Sequence, residues 1–242
     1  IPLVLLEQNV IPGRSVEWFA RRADLVCGSF DETGPSLPRG TRYINTGNPV
    51  RSEIAAISWP EFAARTDLVI LGGSQGAESL NTAVLDLIAS GEIGKWPGGI
   101  IHQTGTSDLE RVRATYAGAG IAARVEPFFA DMVSVYQRAR LAISRAGATT
   151  LAELAMAGCP AILAPYPHAT RHHQRFNAEW YAARGAALVA DYRSGATALR
   201  EPFRRMIDSE QALEEWSRAM QATARPEAAV DVARHLLAMT EP

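Results

Sequence analysis

Ser144-Arg145-Ala146-Gly147-Ala148-Thr149-Thr150-Leu151-Ala152-Glu153 joins an apolar run to a glycine and then to a helix start carrying two threonines and a carboxylate. An apolar strand followed at once by a glycine turn and a helix is the repeating unit of a parallel α/β sheet. Backbone N–H groups in the first helical turn have no intrahelical partner. The aligned peptide dipoles add about half a positive charge there, so the turn suits a phosphate or diphosphate. Glu153 falls about one turn further in, where an ionised carboxylate can accept both hydroxyl protons of a ribose.

A second turn of this kind lies upstream. Residues 67–71 (Asp-Leu-Val-Ile-Leu) form a short apolar run, followed by Gly72-Gly73-Ser74-Gln75-Gly76 and a helical pattern over 77–89. The glycines permit positive φ and close backbone approach, and Ser74 offers a hydroxyl beside a phosphate. One such turn is common to α/β proteins in general; two in one chain point to a nucleotide or nucleotide-sugar site.

Outward from these turns, strand-like runs are expected at 3–6, 25–28, 42–45, 68–71, 99–103, 123–125, 141–144, 161–164 and 187–190. Helical stretches are expected at 14–22, 78–89, 107–117, 130–138, 149–157 and 172–184, with 200–239 reading as helix only. The alternation predicts parallel sheet with crossover helices on both faces. Gly47-Asn48-Pro49-Val50-Arg51 reads as a linker, because Pro49 disfavours helix at Asn48 and the alternation restarts beyond it. The segment before it is too short for a complete Rossmann unit.

The 242 residues, 47% of them apolar, suffice for a sizeable core. A net charge of −2 without a basic stripe argues against a nucleic-acid partner. Lys95 is the only lysine, so single arginines are weighed by position. Cys27 and Cys159 are far apart and show no metal-ligand spacing. No apolar run approaches the ~18 residues that span a bilayer. The chain opens directly in an apolar run at Ile1, without an initiator methionine, and its beginning reads as cut. Asp-x-Asp, the usual signature of a metal-chelated nucleotide sugar, is absent, so leaving-group charge is expected to fall to helix dipoles and arginine. His168, His172 and His173 have no third ligand at a supporting spacing and are not read as a metal site.

Five motifs in order carry a family resemblance. They are Glu7-Gln8-Asn9, the 47–51 linker, Gly72 to Ala77 with Leu80-Asn81, the 145–153 turn, and Pro165-Tyr166-Pro167-His168 followed by His173-Gln174 and Asn177-Ala178. Together they resemble the MurG family of peptidoglycan N-acetylglucosaminyltransferases. The resemblance implies a GT-B fold, with the end of a first Rossmann-like domain at 1–46, a linker at 47–52, and a complete UDP-N-acetylglucosamine-binding domain at 53–225. A terminal helix in 226–242 would return toward the first domain. It further implies an inverting transfer of N-acetylglucosamine to the C4 hydroxyl of an undecaprenyl-linked muramoyl-pentapeptide, giving lipid II, with no cofactor and no metal. The whole protein would be cytoplasmic and peripheral on the inner face of the plasma membrane.

Carried over by position, Glu153 would hold the ribose hydroxyls, Phe129 would contact uracil through its backbone with Met132 nearby, and Arg51 would lie beside the nucleotide. Gly73, Ser74, Gln75 and Gly76 would meet the diphosphate, as would Gly147, Ala148, Thr149, Thr150 and Leu151. Arg145 would serve or brace the same turn. Gln174 and Asn177 would face the sugar, Asn81 would stand near the donor, and Asn9 would approach it from the other domain. Leu6 replaces the family's usual histidine, and Arg171 an aspartate, putting a positive charge beside the sugar region. The family's glycine-rich loop with its histidine, tied to proton removal, has no counterpart here, nor does its apolar membrane-docking patch. The catalytic base is therefore expected outside these residues. The alternatives are a related GT-B enzyme with a glycolipid acceptor and a non-catalytic nucleotide-sugar-binding protein. Glu32 is expected to lie in an uninvolved surface loop.

Overall fold

The computed structural model describes residues 1–73, 78–167 and 169–239. The chain runs β1 (Val4–Glu7), α1 (Arg14–Phe19), β2 (Leu25–Gly28), β3 (Tyr43–Asn45), α2 (Ser52–Ala55), β4 (Asp67–Leu71), α3 (Glu78–Ala89), β5 (Ile100–Gln103), α4 (Leu109–Gly118), β6 (Arg124–Glu126), α5 (Met132–Arg138), β7 (Ala139–Ser144), α6 (Ala148–Ala157), β8 (Ala161–Leu163), α7 (His173–Ala182), β9 (Ala187–Val189), α8 (Arg200–Ile207), α9 (Glu210–Gln221) and α10 (Ala228–Ala238).

Two parallel sheets result. The first is β1-β2-β3; the second has the order β6-β5-β4-β7-β8-β9. Renumbered from β4, the second order is 3-2-1-4-5-6, the doubly wound arrangement in which the winding reverses between the two central strands. Here those strands are β4 and β7, paired in register from Leu68↔Leu141 to Leu71↔Ser144. Gly72-Gly73 after β4 and the turn at 145–147 after β7 therefore leave the carboxyl ends of neighbouring strands side by side, where open α/β sheets hold their ligands.

Strand alternation divides the core. Val69 and Leu71 point into one apolar cluster with Val135, Tyr136, Leu151, Leu154 and Tyr181, from α5, α6 and α7. Leu68 and Ile70 point into the other with Leu80, Val84, Val112 and Phe203, from α3, α4 and α8. Both faces of the sheet are thus covered, as a parallel sheet requires.

The stretch 200–239, read as helix only, carries the three helices α8, α9 and α10. Ser209 caps α9 by accepting a hydrogen bond from the Ala212 N–H, and Pro226 sits in the turn before α10. The helix expected over 14–22 closes at Phe19, and that over 172–184 opens at His173, because Arg171 and His172 take left-handed backbone angles (φ 53° and 54°).

α10 returns to the first sheet, where Val232 packs against Leu25 and Cys27 of β2. Gly47 turns the chain between sheets at φ 84°, and a Cβ there would stand 2.5 Å from Cβ of Arg225. Only glycine meets both conditions.

Candidate functional site

At the carboxyl ends of β4 and β7 a cleft of about 1000 Å³ opens, lined by Gly72, Gly73, Ser79, Arg145, Gly147, Thr150 and the loop from Pro165 to Pro167. α6 points its N-terminus into it. The residue before α6 is Gly147, with no side-chain cap, and the first N–H bond accepted by Gly147 O comes from Leu151. The amides of Ala148, Thr149 and Thr150 are the donors such a helix start leaves for an anion.

Arg145 braces the walls. Its guanidinium donates to Ala164 O at 2.7 Å and to Ser79 Oγ, and it lies 5.7 Å from the Tyr166 ring centre. It therefore ties the end of β8 to the first turn of α3 and, among the described residues, pairs with no carboxylate. Burial pulls its pKa down. Gln174 reaches the same wall from α7, where its Oε1 accepts from the Tyr166 N–H at 2.9 Å.

Glu153 sits one turn along α6 and is only 6% exposed. Its Oε2 accepts from the Tyr136 hydroxyl at 2.8 Å and its Oε1 from Arg51 Nε at 3.1 Å. Arg51, Glu153 and Tyr136 thus form one cluster beside the helix terminus that lines the cleft. Tyr136 had no signal in the sequence: a tyrosine on an apolar helix face reads as core.

Of the residues assigned from sequence, Gly73, Arg145, Gly147, Thr150 and Gln174 line the cleft. Thr149 is exposed at the helix start, while Leu151 is fully buried behind it. Ala148 lies on another flank of α6, bordering a smaller cavity of about 290 Å³ with Phe30, Asn48 and Trp180. Phe129 and Met132 have their side chains in the core, 2% and 8% exposed. Ser74, Gln75 and Gly76 lie outside the described residues, as does His168. Among the described residues no group of three or more His, Cys, Asp and Glu side chains is placed to hold a metal ion.

Three residues singled out in the sequence have partners inside the protein. Asn81 is fully buried, donating to Thr104 O at 3.0 Å and Asp108 Oδ2 at 2.8 Å, with His102 Nε2 at 3.2 Å from its Oδ1. Asn177 is likewise buried; its Oδ1 accepts from the Val10 N–H at 3.0 Å and its Nδ2 donates to Asn9 Oδ1 and Ala146 O. Its amide is thereby spent on joining the loop after β1 to the turn before α6. Arg171 does not extend beside the cleft; it turns across to form an ion pair with Glu17 of α1.

The loop after β1 is itself knotted by Glu7, whose carboxylate accepts from the backbone N–H groups of Asn9 and Gly13. Gln8 Nε2 donates to Asn48 Oδ1 at 3.0 Å. Glu32, at the surface as expected, accepts from Trp180 Nε1 at 2.8 Å and from Arg184 at 3.1 Å, and Phe30 meets Trp180 edge-on at 4.9 Å. The segment before the linker is seated on α7 by this set.

Residues 67–232 match the glycosyltransferase family 28 C-terminal domain. The chain is 44% identical over 191 residues to a protein of Desulfotalea psychrophila named UDP-N-acetylglucosamine--N-acetylmuramyl-(pentapeptide) pyrophosphoryl-undecaprenol N-acetylglucosamine transferase, covering 78% of this chain and 52% of that protein. A protein of the same name from Hahella chejuensis is 38% identical over 239 residues, covering 97% of this chain and 65% of its own length. The crystal structure of MurG from Acinetobacter baumannii superimposes with a TM-score of 0.73 at 30% identity, over 96% of this chain and 65% of that one. The chain therefore spans between half and two thirds of these relatives' length.

Proposed function

The chain belongs to glycosyltransferase family 28, and from that premise we propose that it is the donor-binding portion of an inverting N-acetylglucosaminyltransferase. The donor is UDP-N-acetylglucosamine and the acceptor is the C4 hydroxyl of an undecaprenyl-linked muramoyl-pentapeptide, in keeping with the relatives' names. In this reading 1–46 close the acceptor domain, 47–52 are the hinge, 53–225 bind the donor and 226–242 return to the first domain.

One observation carries the proposal: the uncapped N-terminus of α6 at the reversal point of the sheet, with Glu153 buried one turn behind it. The diphosphate lies on the amides of Ala148 to Thr150, and the ribose reaches Glu153. The acceptor oxygen attacks C1 from the side opposite UDP. The C1–O bond breaks as the new bond forms, and the electron pair stays on the β-phosphate oxygen. Fixed N–H dipoles facing that oxygen stabilise its charge without reorganising during the step. Arg145 keeps the surrounding walls in place. The group that accepts the hydroxyl proton belongs, in this reading, to the part of the relatives that the chain does not span.

Among the described residues no helix is long and apolar enough to cross a membrane. Trp18 and Phe19 of α1, 73% and 47% exposed, follow Arg14 and precede Arg21 and Arg22 in sequence, a composition suited to the inner face of an anionic bilayer.

Solving the complex with UDP tests the proposal. Diphosphate oxygens within hydrogen-bond distance of the Ala148–Thr150 amides, with the ribose at Glu153, are expected; UDP bound elsewhere would sink it.

A further inference from the structure

The Glu153 carboxylate is held on its two sides by partners of unlike character. Tyr136 is 1% exposed and fixed by the core around α5, and its hydroxyl points at Oε2 from 2.8 Å. Burial, then the nearby carboxylate, push the phenol's pKa well above its ordinary value, so it remains a proton donor. Arg51 belongs to the linker, its side chain is 40% exposed, and it divides its charge between Glu153 at 3.1 Å and Glu53 at 3.7 Å.

The terminal torsion of a glutamate is broad, so packing along the stem does not by itself set the plane of the carboxylate. A vicinal diol that gives one hydroxyl to each oxygen needs that plane fixed. A buried tyrosine hydroxyl also costs stability unless it is bonded, and phenylalanine would fill the same core space without that demand. Each carboxylate oxygen has capacity for about two hydrogen bonds, so the bond from Tyr136 leaves room on Oε2 for a ribose hydroxyl.

We propose that Tyr136 is a positioning residue that sets the plane of the Glu153 carboxylate for the two ribose hydroxyls, and so determines preference for ribonucleotides, while Arg51 is the exchangeable partner. This rests on the reading of Glu153 as the ribose acceptor. Tyr136 touches no ligand; it acts through Glu153.

The test is calorimetric titration of the full chain, Tyr136→Phe and Glu153→Ala, each with UDP and with 2′,3′-dideoxy-UDP. The wild type is expected to prefer UDP. Tyr136→Phe is expected to lose roughly fivefold in UDP affinity, the size of one hydrogen bond, with dideoxy-UDP unchanged. Urea unfolding of Tyr136→Phe accompanies the titrations and is expected to show a cooperatively folded variant, since phenylalanine fills the same core space. Equal losses for the two ligands would mean that Tyr136 serves packing alone and would overturn the proposal. So would full retention of the UDP preference in Tyr136→Phe while Glu153→Ala abolishes it, a result that leaves the Glu153 reading standing. Equal wild-type affinity for the two ligands would overturn that reading and the proposal with it.

Discussion

Replacing Asn177 by alanine removes the buried tie between the loop after β1 and the turn before α6. Three hydrogen bonds vanish: Val10 N–H to Oδ1, Nδ2 to Asn9 Oδ1, and Nδ2 to Ala146 O. Asn9 is half-buried and can turn to water, whereas Val10 and Ala146 are 8% and 0% exposed and keep an unmet donor and acceptor. Each buried orphan costs ~1–3 kcal/mol, so the substitution is expected to destabilise the chain by about 3 kcal/mol. Asn177→Asp should be no better, since a carboxylate can still accept from Val10 but faces the Ala146 carbonyl without a proton to give. Urea unfolding gives the free energy, and amide hydrogen exchange at Val10 reports the local opening. UDP affinity of the folded fraction should stay within about twofold of wild type, because the side chain is fully buried and bonded inside the protein. A loss below ~1 kcal/mol with unchanged Val10 protection would refute the reasoning.

Glu32→Ala should lower stability by about 1 kcal/mol, less at high salt, by releasing Trp180 and Arg184, while leaving UDP binding intact; urea midpoints at two salt concentrations read it. His102, buried against Tyr116 and Asn81, has its pKa pulled from 6.5 to about 3 by burial. Above pH 6.5 it is neutral whether folded or unfolded; as pH falls from 6.5 toward 3 only the unfolded chain takes the proton, so its contribution is lost on acidification. The slope approaches 1.4 kcal/mol per pH unit, and His102→Gln should flatten that part of a stability–pH curve; an unaltered slope would count against it. Gly47→Ala is expected to cost at least ~1–2 kcal/mol for the left-handed backbone alone, before its contact with Arg225, and a melting temperature equal to wild type would contradict this.

The strands were legible because each is an apolar run stopped by a polar or turn-forming residue, and six of them fall into one doubly wound sheet. The helical character of 200–239 was legible too, but its division was less so, because amphipathic periodicity survives a cap at Ser209 and a turn at Pro226 that reset the axis. Within the site, Gly147 and Thr150 could be found in advance because the chemistry there belongs to the backbone, and a strand-glycine-helix pattern fixes where those amides face. Asn81 and Asn177 could not be judged so. An asparagine on a helix carries the same letters whether its partner is a sugar or a carbonyl of the protein, and only tertiary structure brings Thr104 to one and Val10 to the other. Arg171 illustrates the same limit: its charge was visible, but the backbone turn that sends it to Glu17 was not. Tyr136 and Glu32 belong to no motif, and what they do depends on residues far away in sequence.

The most direct measurement is calorimetric titration of the chain with UDP-N-acetylglucosamine in the presence of a chelator, with Glu153→Ala alongside. The account predicts saturable one-to-one binding that Glu153→Ala weakens by ~1–3 kcal/mol, the value of charge-assisted hydrogen bonds. Binding of equal strength in the variant, or none in the wild type, would contradict the assignment of the donor to the N-terminus of α6.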